Sequence, residues 1–251
     1  MEWCYWLMLG LSIGSFINVV VYHLPLRLMQ PDQQLSLLFP PSHCPNCLNS
    51  LCWRDNIPLL SWMLLRGKCR NCHQPISIIY PLIELLMAVI SLVLSKFLPD
   101  IPLLLATLFF CGSLLALSLI DIRYYLLPDA VTLPLLWVGL LLHCLALMPG
   151  SLTDAVLGVV IGYISLAGLA HGYHWLRHQH ALGMGDAKLL AAIAAWTGWE
   201  ALPIVLIIAC SSGILFALIS RILWQQRLNQ AIAFGPWLSL AGISLFIHSI
   251  I

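Results

Sequence analysis

Long apolar runs separated by short polar joints set the pattern of this chain. A helix that crosses a bilayer needs about 20 mostly apolar residues. Segments of that kind cover roughly 3–24, 78–98, 101–120, 130–149, 154–176, 187–200, 202–221 and 234–251. Each predicts a helix, and the sixth is shorter than the rest. Pro102, Pro128, Pro149, Pro203 and Pro236 fall at or near the joints, where proline suits a first helical turn or a turn between spans. The stretch after the first run is the one connection long and polar enough for a domain of its own. The pattern predicts an all-α polytopic membrane protein of about eight transmembrane helices. Its expected parts are a first helix over 1–25, a small loop domain over 26–77 and a seven-helix transmembrane part over 78–251.

Composition strengthens this reading. Of 251 residues, 61% are hydrophobic and 8% are charged, whereas a soluble domain carries about 25% charged residues. The net charge is +1 and no basic patch stands out, so nucleic acid is not an expected partner and membrane lipid is. The opening Met1-Glu2-Trp3-Cys4 lacks the basic region of a cleavable signal, and no A-x-A-like site follows, so the first run reads as a retained span.

Charge also sets the orientation. Arg27, Arg54, Arg66, Lys68, Arg70, Arg123, Arg177, Lys188, Arg221 and Arg227 all fall on one side of the expected membrane, and Lys96 alone falls on the other. Positive loops stay inside. The first, third, fifth and seventh connections are therefore expected in the cytoplasm, with both termini outside.

The first connection contains "CPNC", Cys44 to Cys47, and "CRNC", Cys69 to Cys72, with 21 residues between them. Two knuckles of two thiolates supply the four ligands of a closed tetrahedral Zn²⁺ site. Asn46 and Asn71 tolerate tight-turn backbone, and Gly67-Lys68 precedes the second knuckle as a turn would. Disulfides and idle thiols are the bland alternatives; a reducing cytoplasm opposes the first and the matched spacing the second. Cys44, Cys47, Cys69 and Cys72 are the expected ligands, with zinc ahead of iron on ligand softness. A loop of this size also needs such a staple to fold. Cys52, His43 and His73 are nearby ligands for a variant site, and Cys4, Cys111, Cys144 and Cys210 lie in spans as packing residues.

Acidic groups near hydrocarbon are costly and mark function. Asp121, in "LSLIDIRYYLLPDAVTLPLL", sits where the third span meets the cytoplasm. Asp129, after Pro128, reads as a helix N-cap. Glu84 lies inside the second span, lining a polar cavity or pairing with a cation. Asp186, in "ALGMGDAKLL", follows Gly183 and Gly185, which let backbone approach a substrate closely. Asp186 is either the second carboxylate of a pair with Asp121, or the N-cap of the sixth span with Lys188 as a snorkelling cation. His171, His174, His178 and His180 cluster between the fifth and sixth spans; His174 and His178 are spaced to share a metal, but such residues more often simply occupy a membrane boundary.

Two facing aspartates suit one reaction well. One ionised carboxylate draws a proton from water while the other, protonated, donates to a carbonyl oxygen. That is aspartic-type peptide hydrolysis. No Ser or Cys nucleophile with a placed His base competes, and nothing resembles a phosphate-binding loop.

The segments "GSFINVVVYHLP" (Gly14–Pro25), "CPNC…CRNC", "YPLIELL", "DIRYYLLPD", "GMGD" and "FGPWLSL" (Phe234–Leu240), in this order along the whole chain, resemble type IV prepilin peptidases, bacterial inner-membrane aspartic proteases with a GxGD motif. His23 stands where that family usually shows Arg, and Ile79 where a basic residue is common. The resemblance implies an endopeptidase that removes the short basic leader of type IV prepilins, or of type II secretion pseudopilins, at the cytoplasmic face. It also implies methylation of the new N-terminus from S-adenosylmethionine. Matched motif by motif, it gives Asp121 and Asp186 as the catalytic pair. Two rivals stand beside it: a GxGD protease that cuts within a transmembrane helix, and a transporter with a cytoplasmic zinc module.

Overall fold

The computed structural model describes residues 2–29, 44, 47, 49–50, 53–177, 183–224 and 232–251. His43, Asn46, Cys52, His178, His180 and Arg227 lie outside the described residues. Helices α1 (Glu2–Met29), α2 (Leu60–Leu64), α3 (Ile79–Phe97), α4 (Ile101–Tyr124), α5 (Asp129–Cys144), α6 (Leu152–Arg177), α7 (Met184–Thr197), α8 (Leu202–Trp224) and α9 (Gly235–Ile250) follow one another, with a 3₁₀ turn over Trp53–Asn56. Among the described residues there is no strand; an isolated bridge joins Lys68 and Pro75. All but the five-residue α2 lie on the eight apolar segments. Five of them, α1, α3, α4, α6 and α8, are long and apolar enough to cross a membrane, and α5 and α9 are shorter apolar helices. The chain is a multi-pass membrane protein.

The chain divides into two compact units, Met1–Gly112 and Ser113–Ile251, with the boundary inside α4. In the first unit α1 packs along α3. Gly10 and Gly14 make this possible: a Cβ at Gly10 would lie 2.6 Å from the Met87 carbonyl oxygen, and one at Gly14 would lie 2.6 Å from the Glu84 Cα. Small residues four apart let two helix backbones approach closely, the usual means of association in lipid. Ser91 Oγ donates to the Trp6 carbonyl at 2.8 Å and Asn18 Nδ2 to the Tyr80 carbonyl at 3.1 Å, bonding the helices near both ends. Lys96 Nζ lies 4.7 Å from the centroid of the Trp3 ring, a cation over an aromatic face.

In the second unit α7 forms the centre. Ten of its fourteen residues are buried, with α5, α6 and α9 packed around it. At 14 residues the helix is about 21 Å long, short of the hydrocarbon thickness of about 30 Å. Its burial against protein removes the need to face lipid, which explains the short sixth segment. Trp196 Nε1 donates to the Leu135 carbonyl at 2.9 Å, so the buried indole N–H is satisfied. Gly198, at φ 77°, ends the helix in the left-handed region that glycine enters without cost.

Candidate active site

The second unit brings Asp121 and Asp186 together. Asp121 lies in the last turn of α4 and Asp186 in the first turn of α7. Both are buried, with 6% and 9% of their surfaces exposed. A carboxylate in the last turn of a helix opposes the helix dipole, at a cost of about 0.3–1 kcal/mol. A second helix supplies the compensation. Gly235, the first residue of α9, donates its N–H to Asp121 Oδ2 at 2.9 Å. That N–H is one of the donors a helix N-terminus leaves without an internal partner, and a helix N-terminus favours an anion.

After α4 the chain turns through Tyr125, at φ 54°, and its N–H still bonds the Asp121 carbonyl at 2.9 Å. Leu127 then fills the space beside the pair. A Cβ at Gly185 would lie 3.0 Å from Leu127 Cβ, and one at Gly235 would lie 3.3 Å from Leu127 Cδ2 and 2.7 Å from Asp121 Oδ2. Both glycines are thus sites of close approach around one leucine. Sequence reasoning found neither Gly235 as a donor nor Leu127 as a spacer. The available signal was the Gly235-Pro236 pair opening the last apolar run, since proline at a first helical position marks where a helix N-terminus stands.

Asp129 is not an N-cap. Pro128 holds that position in extended conformation, and Asp129 is the first residue of α5. Its carboxylate instead takes both oxygens to Lys188 Nζ, at 2.7 and 2.8 Å. Asp186 is not an N-cap either, because Gly183 caps α7. Lys188 is correspondingly an ion-pair partner rather than a cation reaching for water. The pair ties the start of α5 to the first turns of α7, two residues after Asp186. His171 Nδ1 lies 2.8 Å from the Ala167 carbonyl of its own helix, and among the described residues His171 and His174 join no cluster of metal-ligating side chains.

The first unit brings the four thiols together. The sulfurs of Cys44, Cys47, Cys69 and Cys72 all lie within 4.8 Å of one another, and the Cys44–Cys72 separation is 3.8 Å. Four sulfurs at about 2.3 Å from one tetrahedral ion would be roughly 3.8 Å apart, so the cluster could hold a metal. Local backbone bonds shape it: the Cys69 N–H donates to the Gln74 carbonyl at 2.9 Å, the His73 N–H to the Cys69 carbonyl at 3.0 Å and the Cys44 N–H to the Asn49 carbonyl at 3.0 Å. Backbone N–H groups of Cys72 and then Asn71 lower the Cys69 thiol to about 6, which favours the thiolate a metal requires. Cys72 receives the Gln74 N–H, yet desolvation and the neighbouring sulfurs push it up to about 11. Arg70 pairs with the buried carboxylate of Asp55 at 2.7 Å, joining the second knuckle to the 3₁₀ turn.

Glu84 connects this loop to the helices. Its Oε2 accepts the Leu59 N–H at 2.8 Å, where Leu59 stands at φ 59° just before α2. It lies on a cavity of about 400 Å³, bounded by α1, α3 and the cysteine loop. The expectation was a polar cavity or a cation as partner; the cavity is lined mainly by apolar surface with several polar groups.

The fold and the two constellations define a multi-pass membrane protein with a buried carboxylate pair and a tetrathiol loop. Family models match it in two consecutive stretches: the bacterial peptidase A24 N-terminal domain over residues 8–97 and the type IV leader peptidase family over residues 108–218. The prepilin leader peptidase/N-methyltransferase of Pectobacterium carotovorum subsp. carotovorum is 43% identical over 94% of this chain and 89% of its own length. That of Dickeya chrysanthemi is 45% identical with the same coverage, and that of Klebsiella pneumoniae is 46% identical over 80% of this chain and 87% of its own. No solved structure matches. The chain belongs to the type IV leader peptidase family. The four thiols fall within the first matched stretch and both aspartates within the second.

Proposed function

We propose that this chain is an aspartic endopeptidase of the bacterial inner membrane, with Asp121 and Asp186 as its catalytic pair. It removes the short basic leader of type IV prepilins or type II secretion pseudopilins at the cytoplasmic face, then methylates the new N-terminus. The observation that carries the reading is the burial of two carboxylates, one in the last turn of α4 and one in the first turn of α7, with Gly185 beside Asp186 and Gly235, the donor to Asp121, both against Leu127. Two carboxylates so placed cannot both ionise cheaply, so the pair holds one proton. The donor at Asp121 Oδ2 suits an ionised Asp121 and leaves the proton with Asp186. Asp121 then takes a proton from the attacking water while Asp186 donates to the scissile carbonyl oxygen. Collapse of the tetrahedral intermediate expels the amine, which leaves with the proton that Asp121 took. The excess of Lys and Arg on one side supports a cytoplasmic position for both aspartates, where an untranslocated leader lies.

The methyl donor is S-adenosylmethionine, which supplies a methyl group to the newly freed amine. The tetrathiol holds a structural zinc ion, since four thiolates leave no open position for catalysis. The relatives' names speak for leader processing over cleavage within transmembrane helices or transport. The test incubates membranes containing the chain with a prepilin and with a generic transmembrane substrate. Cutting of the prepilin alone, at its leader junction, is expected. Cutting of the transmembrane substrate with the prepilin untouched would overturn the reading.

A further inference from the structure

Helix α2, in the loop between α1 and α3, carries an exposed apolar face. Leu60, Met63 and Leu64 are 57%, 67% and 82% exposed, and their spacing of three and four residues sets them on one side of the helix. Ile57, one turn earlier, is exposed as well. The other side is held by protein: Ser61, Trp62 and Leu65 line the cavity shared with α1 and α3. Contiguous apolar side chains left exposed in this way mark a contact with another protein or with a membrane.

Depth decides between the two. Helix α3 has 19 residues, a rise of about 29 Å, which matches a hydrocarbon core of about 30 Å and puts Ile79 at its border. Glu84 follows five residues later, roughly 7–8 Å inside. Side chains on a helix lean towards its N-terminus, which brings the Glu84 carboxylate back towards that border. There its Oε2 accepts the Leu59 N–H at 2.8 Å, and Leu59 is the residue that opens α2. Helix α2 thus begins at the level where acyl chains meet headgroups. The lipid-facing side of α3 begins at the same level, with Ile78, Ile79 and Leu82 exposed. Charge of the matching sign follows: Arg66 and Lys68, directly after α2, are both exposed.

We propose that α2 is an interfacial wedge: Leu60, Met63 and Leu64 sit among the acyl chains beside the start of α3, and Arg66 and Lys68 bind the phosphates of anionic lipids. An apolar face seated about 5–10 Å into that boundary, with basic residues beside it, is how amphipathic segments hold a membrane surface. Each basic side chain near an anionic surface favours it about fivefold. The consequence reaches the tetrathiol. The Trp62 carbonyl accepts the Gly67 N–H at 2.9 Å and the Gly67 carbonyl accepts the Ile76 N–H at 2.7 Å, while the bridge between Lys68 and Pro75 closes the second knuckle. With α2 seated in lipid, these bonds hold Cys69 and Cys72 at a fixed height over the bilayer. The loop expected in the cytoplasm is then in part a membrane-bound element. The proposal needs the multi-pass architecture alone and is independent of the activity.

The test reads the depth of Leu64. A fluorescent amino acid takes its place in the full-length protein, reconstituted in vesicles of phosphatidylcholine and phosphatidylglycerol. A second preparation carries the same label in place of His73, an exposed residue of the second knuckle. Lipids brominated on their upper acyl carbons should quench the label at Leu64 and spare the one at His73, and iodide in the water should do the reverse. At equal mole fraction, brominated phosphatidylglycerol should quench the label at Leu64 at least about twofold more than brominated phosphatidylcholine does. Arg66→Gln with Lys68→Gln should remove that preference. Equal iodide quenching at both positions, with none by brominated lipid, would overturn the proposal by placing α2 in water. Protection from iodide and from brominated lipid alike would overturn it too, by putting a protein surface over the face. Lipid quenching with no preference for phosphatidylglycerol would overturn the phosphate contacts of Arg66 and Lys68. If the label at Leu64 prevents insertion, the same label in place of Met63 decides.

Discussion

The cysteine loop and the carboxylate pair are held in place by different means. In the loop, helix α2 buries none of its residues, and order comes from four converging sulfurs, an Arg70–Asp55 pair and a few backbone bonds. In the second unit, α7 buries ten of its fourteen residues, and the pair is positioned by packed helix ends. One site therefore depends on a staple and the other on a core. The difference predicts that the two activities fail under different insults. A metal chelator should reach the first region and spare the second.

The largest effect tests the core-held pair. Asp121→Asn and Asp186→Asn should each lower prepilin cleavage by roughly a thousandfold or more, at unchanged membrane levels. An amide can neither act as the ionised base nor exchange the shared proton. The double substitution should be no worse than either alone, because the pair works as a unit. The pH dependence of cleavage should fall on both sides of an optimum whose two apparent constants belong to the pair. Quantitative cleavage at matched protein levels checks this; full activity in either single variant would remove that residue from the pair.

The next effect tests the staple. Purified protein should carry about one equivalent of zinc per chain. Cys44→Ser with Cys47→Ser should remove the metal and depress methylation at least as strongly as cleavage. Binding free energy at such a site is folding free energy, about 10–16 kcal/mol for small zinc modules, so removing a bound metal should cost the loop its shape. Metal analysis and the two activity assays, run on the same preparation, provide the check. Cleavage lost while a pre-cut substrate is still methylated would reverse the comparison between the two regions.

How much of this was legible in the sequence follows from chain distance. The helices were legible because each is a local apolar run, and α3 and α8 start within a residue of their expected positions. Helix α7 was displaced by about three residues, expected over 187–200 and found over Met184–Thr197. The cause is Gly198, whose left-handed backbone stops the helix, a stop signal that an apolar run alone hides. The thiols were legible because each knuckle carries its own spacing. Gly235 as a donor to Asp121 was not, because the two are 114 positions apart and only tertiary packing brings a helix start to that carboxylate. The cavity was illegible for the same reason, since α1, the loop and α3 each contribute a wall.

A smaller effect probes how tightly the core holds the pair. Gly235→Ala would place a methyl carbon 2.7 Å from Asp121 Oδ2 and 3.3 Å from Leu127 Cδ2. The carboxylate must shift, and the 2.9 Å bond from the Gly235 N–H lengthens with it. Misplacement of a catalytic group by about 1 Å can cost a hundredfold, so a fall of about tenfold in cleavage is expected for a shift of a few tenths. Methylation of a pre-cut substrate should be unaffected, because Gly235 belongs to the other unit. Equal losses in both activities would show that the two regions are not independent.

The smallest effect is expected at Asp129, the first residue of α5, which pairs with Lys188. As a cap it would have been replaceable by Asn at almost no cost; as the partner of Lys188 it is not quite so. The pair is solvent-accessible, with side chains 36% exposed for Lys188 and 54% for Asp129. Exposed pairs contribute about 0.2–1 kcal/mol, and a charge in the first turn of a helix adds a similar amount. Losing both would reduce the hold on the first turns of α7, two residues from Asp186, without touching the pair itself. Only part of that loss reaches the reacting pair; at about 1 kcal/mol, Asp129→Asn should lower cleavage about fivefold, since 1.4 kcal/mol corresponds to a factor of ten. Lys188→Met, which removes the ion pair alone, should cost no more than that, and the double substitution should cost no more than Asp129→Asn alone, because both remove the same contact. Additive losses in that cycle would show that the Asp129–Lys188 pair does not position Asp186. A dead Asp129→Asn beside an active Asp121→Asn would move the catalytic role from the end of α4 to the start of α5.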